Sequence, residues 1–131
     1  MKYLNDYTQD AISKVIKDNG GFFAFSNKQF EESKQDGIKY VRLYGGLISP
    51  KNNVKNILDG IDKANVKGIK QDMKENSIKD IIWREFANYE CQIVHNYDDV
   101  LISLKDYSIR KETIKKEFTN YINYCNEHNL Y

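Results

Sequence analysis

Glycine and proline are concentrated early in this chain, and that distribution constrains its fold most. The only proline is Pro50, and glycines stand in pairs at Gly20-Gly21 and Gly45-Gly46. After Pro50 only Gly60 and Gly68 interrupt the sequence. Glycine and proline are the strongest punctuators of regular structure, so strands and turns belong early and helices late. A length of 131 residues fits one domain, since chains usually divide only above about 250 residues. No Pro- or Ser-rich linker and no repeat breaks it, so the expectation is a single α+β domain over residues 1–131.

Apolar spacing fills in the elements. Tyr7, Ala11, Ile12, Val15 and Ile16 recur at helical intervals over 5–19, and Asn19-Gly20-Gly21 forms the stop. Phe22 to Phe25 reads as a short strand buried on both faces. Ser26 caps a helix to about Gln35, anchored by Phe30. Asp36-Gly37 turns the chain into a strand over 38–44, and Gly45-Gly46 joins it as a hairpin to Leu47-Ile48. Ser49-Pro50 has the form of a hydroxyl cap with proline at the first helical position. The helix that follows carries Val54, Ile57, Leu58, Ile61, Ile69 and Met73, with a weak or broken stretch around Gly68. Ser77 and Asp80 resemble a capping box opening a helix to about His95. Asp98 or Asp99 caps a short helix through Leu104. Ser108 begins the last helix, with Ile114, Phe118, Tyr121, Ile122 and Cys125 on one face. The order is α-β-α-β-β and then four helices, a small three-stranded sheet with a β-hairpin packed against a helical layer.

Charge narrows the function classes. Twenty Lys+Arg against nineteen Asp+Glu leave a net charge of +1, without the basic excess of a nucleic-acid binder or the acidic excess of a DNA mimic. Nucleic acid is therefore not the expected direct ligand. Only Arg42, Arg84 and Arg110 are arginines, and each is a better candidate for bidentate or stacking contacts than any single lysine. No apolar run reaches 18 residues, and the opening MKYLNDYTQD has no signal-peptide core, so a cytoplasmic protein with no membrane segment is expected. Cys91 and Cys125 lie in no Cys-x-x-Cys motif. A reduced pair is the expectation, with a disulfide left open.

The side-chain patterns that invite chemistry mostly resolve into structure. Phe22, Phe23, Phe25 and Phe30 read as core residues, because no basic residues interleave with them as a base-stacking platform would require. The two glycine pairs lack the continuation of a phosphate-binding loop and read as turns. On the 77–95 helix, Ile82, Phe86, Tyr89 and Ile93 make an apolar seam, with Cys91 on the opposite face. Glu85, Asn88, Gln92 and His95 line one flank of that seam. Glu85 and His95 are about 15 Å apart along the axis, too far to share a metal ion. The stripe reads first as a structural polar network and second as part of a ligand or partner surface. His95 and His128 belong to no Cys/His or Ser/His arrangement, so no catalytic residue, metal site or cofactor is assigned. Arg110, Tyr121 and Tyr124 are of the residue types that anchor protein interfaces.

The stretch Phe22-Phe23-Ala24-Phe25-Ser26-Asn27-Lys28-Gln29-Phe30-Glu31-Glu32, with Gly45-Gly46-Leu47-Ile48 and Glu85-Phe86-Ala87-Asn88-Tyr89-Glu90, resembles an uncharacterised family of small phage and mobile-element proteins. The likeness spans about residues 10–105, and many members carry His where this chain has Tyr89. The resemblance implies a genomic setting and no reaction. Two functional expectations follow. The first is a non-enzymatic protein that binds, and in the anti-CRISPR-like case inhibits, a host protein through Arg42, Tyr44, Glu85, Asn88 and Gln92, with Arg110, Tyr121 and Tyr124 as a further contact face. The second is a small-molecule or nucleotide binder, or an enzyme, with a pocket between the hairpin and the 77–95 helix. There Glu85 would be the acid or base and Arg42 the anion contact. The exposed hairpin edge also offers a route to a homodimer.

Overall fold

The computed structural model describes all residues, Met1–Tyr131. It is α+β, with a three-stranded antiparallel sheet early and a helix-rich second half, as the punctuation predicts. Its contacts fall into two compact units, Asn5–Gly68 and Met1–Leu4 with Ile69–Tyr131. No helix is long and apolar enough to cross a membrane.

In the first unit, α1 (Leu4–Asp18) ends where the Asn19 side chain donates to Val15 O at 2.8 Å and Gly20 turns with φ +74°. The sheet has the order β1 (Phe22–Phe23), β3 (Leu47–Pro50), β2 (Tyr40–Arg42). All four residues of the central β3 are buried. Leu47 joins Ile16, Ile57 and Ile61 in the core, and Ile12 and Leu43 pack against them. On the opposite face, Phe30 from α2 (Asn27–Ser33) meets Phe22 and Tyr40, with ring centroids 6.1 and 5.7 Å away.

Three expectations change here. The Phe22–Phe25 segment is not a doubly buried strand: only Phe22–Phe23 pair, while Phe23 is 52% and Phe25 73% exposed. Ala24 is the fully buried residue. A two-residue edge strand gives the layer behind the sheet nothing to cover on its outer side. Secondly, Ser49 and Pro50 end β3 rather than start a helix, and the Ser49 hydroxyl donates to Pro50 O at 2.9 Å. Gly46 O accepts from Ala24 N, so positions 48 and 50 face β1. The latter strand stops short of Pro50, and no ladder bond is lost to its missing N–H. A 3₁₀ turn (Lys51–Asn53) then leads into α3 (Val54–Glu75). Thirdly, α3 runs unbroken through Gly68. Its buried stripe is Ile57, Ile61, Ala64, Gly68 and Asp72, and Met73 is exposed. A lone glycine costs a helix only about 1 kcal/mol.

The second unit packs the short and long helices of the C-terminal half. Ser77 caps α4 (Ile78–Asn88), its Oγ accepting from Asp80 N at 3.1 Å. Ile81, Ile82 and Phe86 of α4 meet Ile114, Tyr121 and Cys125 of α7 (Lys111–His128), with Val100 and Leu104 closing the core. The expected 77–95 helix is broken: Glu90 adopts φ +51° and α5 (Cys91–Val94) follows with a new phase. Cys91 is consequently buried with the seam rather than opposite it, and Ile93 is half exposed. In α6 (Asp98–Ser103) the cap is Tyr97, and Asp98 and Asp99 sit in the first turn, where the helix dipole favours carboxylates. Ser108 lies at φ +56° and α7 begins three residues later, at Lys111, after the cap residue Arg110.

Candidate functional site

Two features in this molecule have the chemistry of a site, one in each unit. The first is a buried polar cluster on α3, α4 and the 3₁₀ turn Lys105–Tyr107. Asp72 is fully buried, and Arg84 and Glu85 nearly so. Arg84 Nη1 lies 3.0 Å from both Asp72 oxygens and 3.1 Å from Lys2 O, and Arg84 Nε donates to Glu85 Oε2 at 2.7 Å. The Tyr107 hydroxyl donates to Asp72 Oδ2 at 2.6 Å, and Asn76 Nδ2 donates to Oδ1 at 2.9 Å. Burial opposes the Arg84 charge, but hydrogen bonds to Glu85, Tyr107 and Asp72 outweigh it and raise its pKa further. Burial, and then the bond to Asp72, push the Tyr107 hydroxyl well above its ordinary range.

This cluster is closed. Every buried side-chain nitrogen and oxygen in the molecule has a partner, and each Asp72 oxygen has two donors within hydrogen-bond distance, Arg84 and Asn76 on Oδ1 and Arg84 and Tyr107 on Oδ2. The arrangement cross-links residues 2, 72, 76, 84, 85 and 107. Such a network specifies one packing, since any shift would strand a buried charge.

The second feature is an aromatic face on the sheet. Phe23 and Phe25 stack with centroids 6.4 Å apart and planes 9° from parallel, and Tyr44 beside the hairpin turn is 62% exposed. Three local devices hold Phe25 out. The Ser26 Oγ accepts from Gln29 N at 3.2 Å, and Gln29 Oε1 accepts from Phe25 N at 2.6 Å, which fixes the backbone at position 25. Phe30 takes Phe22 and Tyr40 as its neighbours, so the usual packing of the residue before a cap onto the helix is not made. Gly46, at φ +80°, lets the Phe25 ring lie directly on its backbone: a Cβ there would come within 2.5 Å of the ring. Leaving two phenylalanines so exposed forgoes roughly 2–3 kcal/mol of burial.

Of the residues singled out in the sequence, Arg42 and Tyr44 are exposed in the first unit. The other six lie in the second. Glu85 is buried against Arg84 and Tyr121 is 7% exposed, so neither presents a surface. Gln92 Oε1 accepts from the Tyr121 hydroxyl at 3.3 Å, while Asn88 and Arg110 are exposed. Tyr124 is 41% exposed, edge-on to Trp83 and stacked on His128 at 4.1 Å. The stripe Glu85–Asn88–Gln92–His95 is split by the turn at Glu90. Asp72 was missed, although its place four residues beyond Gly68 on the buried stripe was readable. Phe23 and Phe25 were misread because phenylalanine signals core by default.

The segment that builds the aromatic face lies within a family match that takes in nearly the whole chain, residues 4–124. The chain belongs to that family. It is a family of unknown function, DUF7659. No curated protein and no solved structure matches the chain. No group of three or more His, Cys, Asp or Glu side chains is placed to hold a metal ion. Membership therefore brings a shared fold, and the reading of function rests on the geometry.

Proposed function

We propose that this protein is a non-catalytic binding protein that docks on another protein through Phe23, Phe25 and Tyr44. The observation that carries this reading is the stacked, exposed Phe23–Phe25 pair, held by the Ser26–Gln29 capping bonds and the Gly46 backbone. Rigid aromatic rings presented to solvent lose little conformational entropy on binding and supply large apolar area, which is why aromatic anchors dominate interface energetics. In the phage or mobile-element setting that the sequence resemblance implies, the partner is a host protein and the outcome of docking is its inhibition.

The test is affinity capture from a bacterial lysate with wild-type protein and with the double variant Phe23→Ser, Phe25→Ser. One stoichiometric protein retained by the wild type and lost with the variant, at unchanged helical circular dichroism, is the expected result. Identical captures by the two proteins, or an empty capture by both, would contradict the reading.

A further inference from the structure

The sheet has a second feature, on the edge away from Phe23. Strand β2 is an outer strand, paired only with β3. Leu43 N donates to Leu47 O and Lys51 N to Lys39 O, both at 2.8 Å. Alternate positions 39, 41 and 43 therefore face β3, and the N–H and C=O groups of Tyr40 and Arg42 point outward with no hydrogen-bond partner. Two shallow grooves flank this edge. One, of about 280 Å³, is lined by Phe30, Tyr40, Ile48 and Arg42, and the other, of about 290 Å³, by Ile38, Lys39, Pro50 and Lys51. Lys39, Arg42 and Lys51 are all exposed and none forms an ion pair.

We infer that β2 is a recognition edge for an extended acidic peptide segment, which adds as a fourth strand beside Tyr40 and Arg42. The outward backbone groups of Tyr40 and Arg42 supply the ladder bonds. Side chains on one face of the peptide meet the Phe30–Tyr40 groove and Arg42, and those on its other face meet Lys39, so a carboxylate on each face finds a cation. The charge pattern chooses this occupant over a second copy of the chain. A two-fold pairing of β2 with itself about Val41 would put Arg42 opposite the other copy's Tyr40 and diagonal to its Arg42, bringing together two edges that carry Lys39, Arg42 and Lys51 with no carboxylate in either groove lining. This inference concerns a different edge from the Phe23–Phe25 face and does not depend on it.

The experiment is fluorescence anisotropy with three labelled hexapeptides: Val-Glu-Glu-Val-Glu-Glu, which carries carboxylates on both faces, its lysine counterpart, and the acidic peptide N-methylated at every second amide. The expected result is binding of the first alone, falling with added salt. Arg42→Glu is expected to weaken it about tenfold or more, whereas Phe25→Ser leaves it unchanged. Because Arg42 is exposed, the variant keeps its fold, which circular dichroism verifies. Equal binding of acidic and basic peptides, indifference to N-methylation, or no binding at millimolar protein would overturn the inference. So would displacement of the peptide by adenosine monophosphate, which would assign the groove to a small anion. A homodimer in sedimentation that the acidic peptide dissolves would assign the edge to a second copy and equally overturn it.

Discussion

Asp72 shows how one buried carboxylate can tie several segments of a chain together. Its carboxylate accepts from Arg84, Tyr107 and Asn76 in a site without solvent. Removing one member of a buried pair strands the other, which typically costs about 3–5 kcal/mol. Asp72→Ala is therefore expected to destabilise by about that amount in urea unfolding, and Tyr107→Phe by about 1–2 kcal/mol. The pair Asp72→Leu with Arg84→Met should be closer to wild type than Asp72→Ala alone, because it removes both charges together. Cys91 carries a pH signature of its own. Burial, with the Asp99 carboxylate second, pushes its thiol up from 9.0 to about 11. Above pH 9 the unfolded chain gives up this proton while the folded one keeps it, so the unfolded state is favoured. The stability is present in full below pH 9 and is lost toward pH 11, by roughly 2–3 kcal/mol at most. Urea melts across that range should show the decline, and Cys91→Ala should flatten it. Burial also drives the Tyr121 hydroxyl up to about 12, so a residual decline above pH 10 persists in that variant.

Among the elements, the Phe22–Phe30 segment does the most with the fewest residues. Ser26 and Gln29 start α2 and at the same time lock the backbone of Phe25. Ser26→Ala is expected to cost about 1 kcal/mol through the lost cap. Gly46→Ala brings two penalties, a positive φ of 80° and a clash with the Phe25 ring, and should cost about 1–2 kcal/mol. It should also move Phe25, which an aromatic resonance shift in NMR would report. This segment marks the boundary of what the sequence made readable. Two of the caps and the hairpin were legible because Ser26, Ser77 and Gly45-Gly46 act locally, whereas the caps expected at Ser49 and at Asp98 or Asp99 and the α7 start at Ser108 did not form. The burial of Cys91 was not, because a single left-handed residue at Glu90 resets the helix phase and nothing in Tyr89-Glu90-Cys91 signals it. The exposure of Phe23 was equally illegible, since whether a strand has a neighbour is a property of the sheet and not of the strand.

For the molecule as a whole, the two features respond to different tests. The Asp72–Arg84 cluster bears on stability, and the aromatic face bears on the docking proposed above. Substitutions in the first should lower the unfolding midpoint whatever the partner, and Phe23→Ser with Phe25→Ser should leave it nearly unchanged, since surface changes are usually within about 0.5 kcal/mol. The measurement that bears most directly on the docking claim is site-specific photo-crosslinking in cells. p-Benzoylphenylalanine replaces Phe25 in one protein and Ile102, itself 66% exposed, in a control. The account predicts one discrete protein adduct from position 25 and none from position 102. No adduct at 25, or the same adducts from both positions, would contradict it.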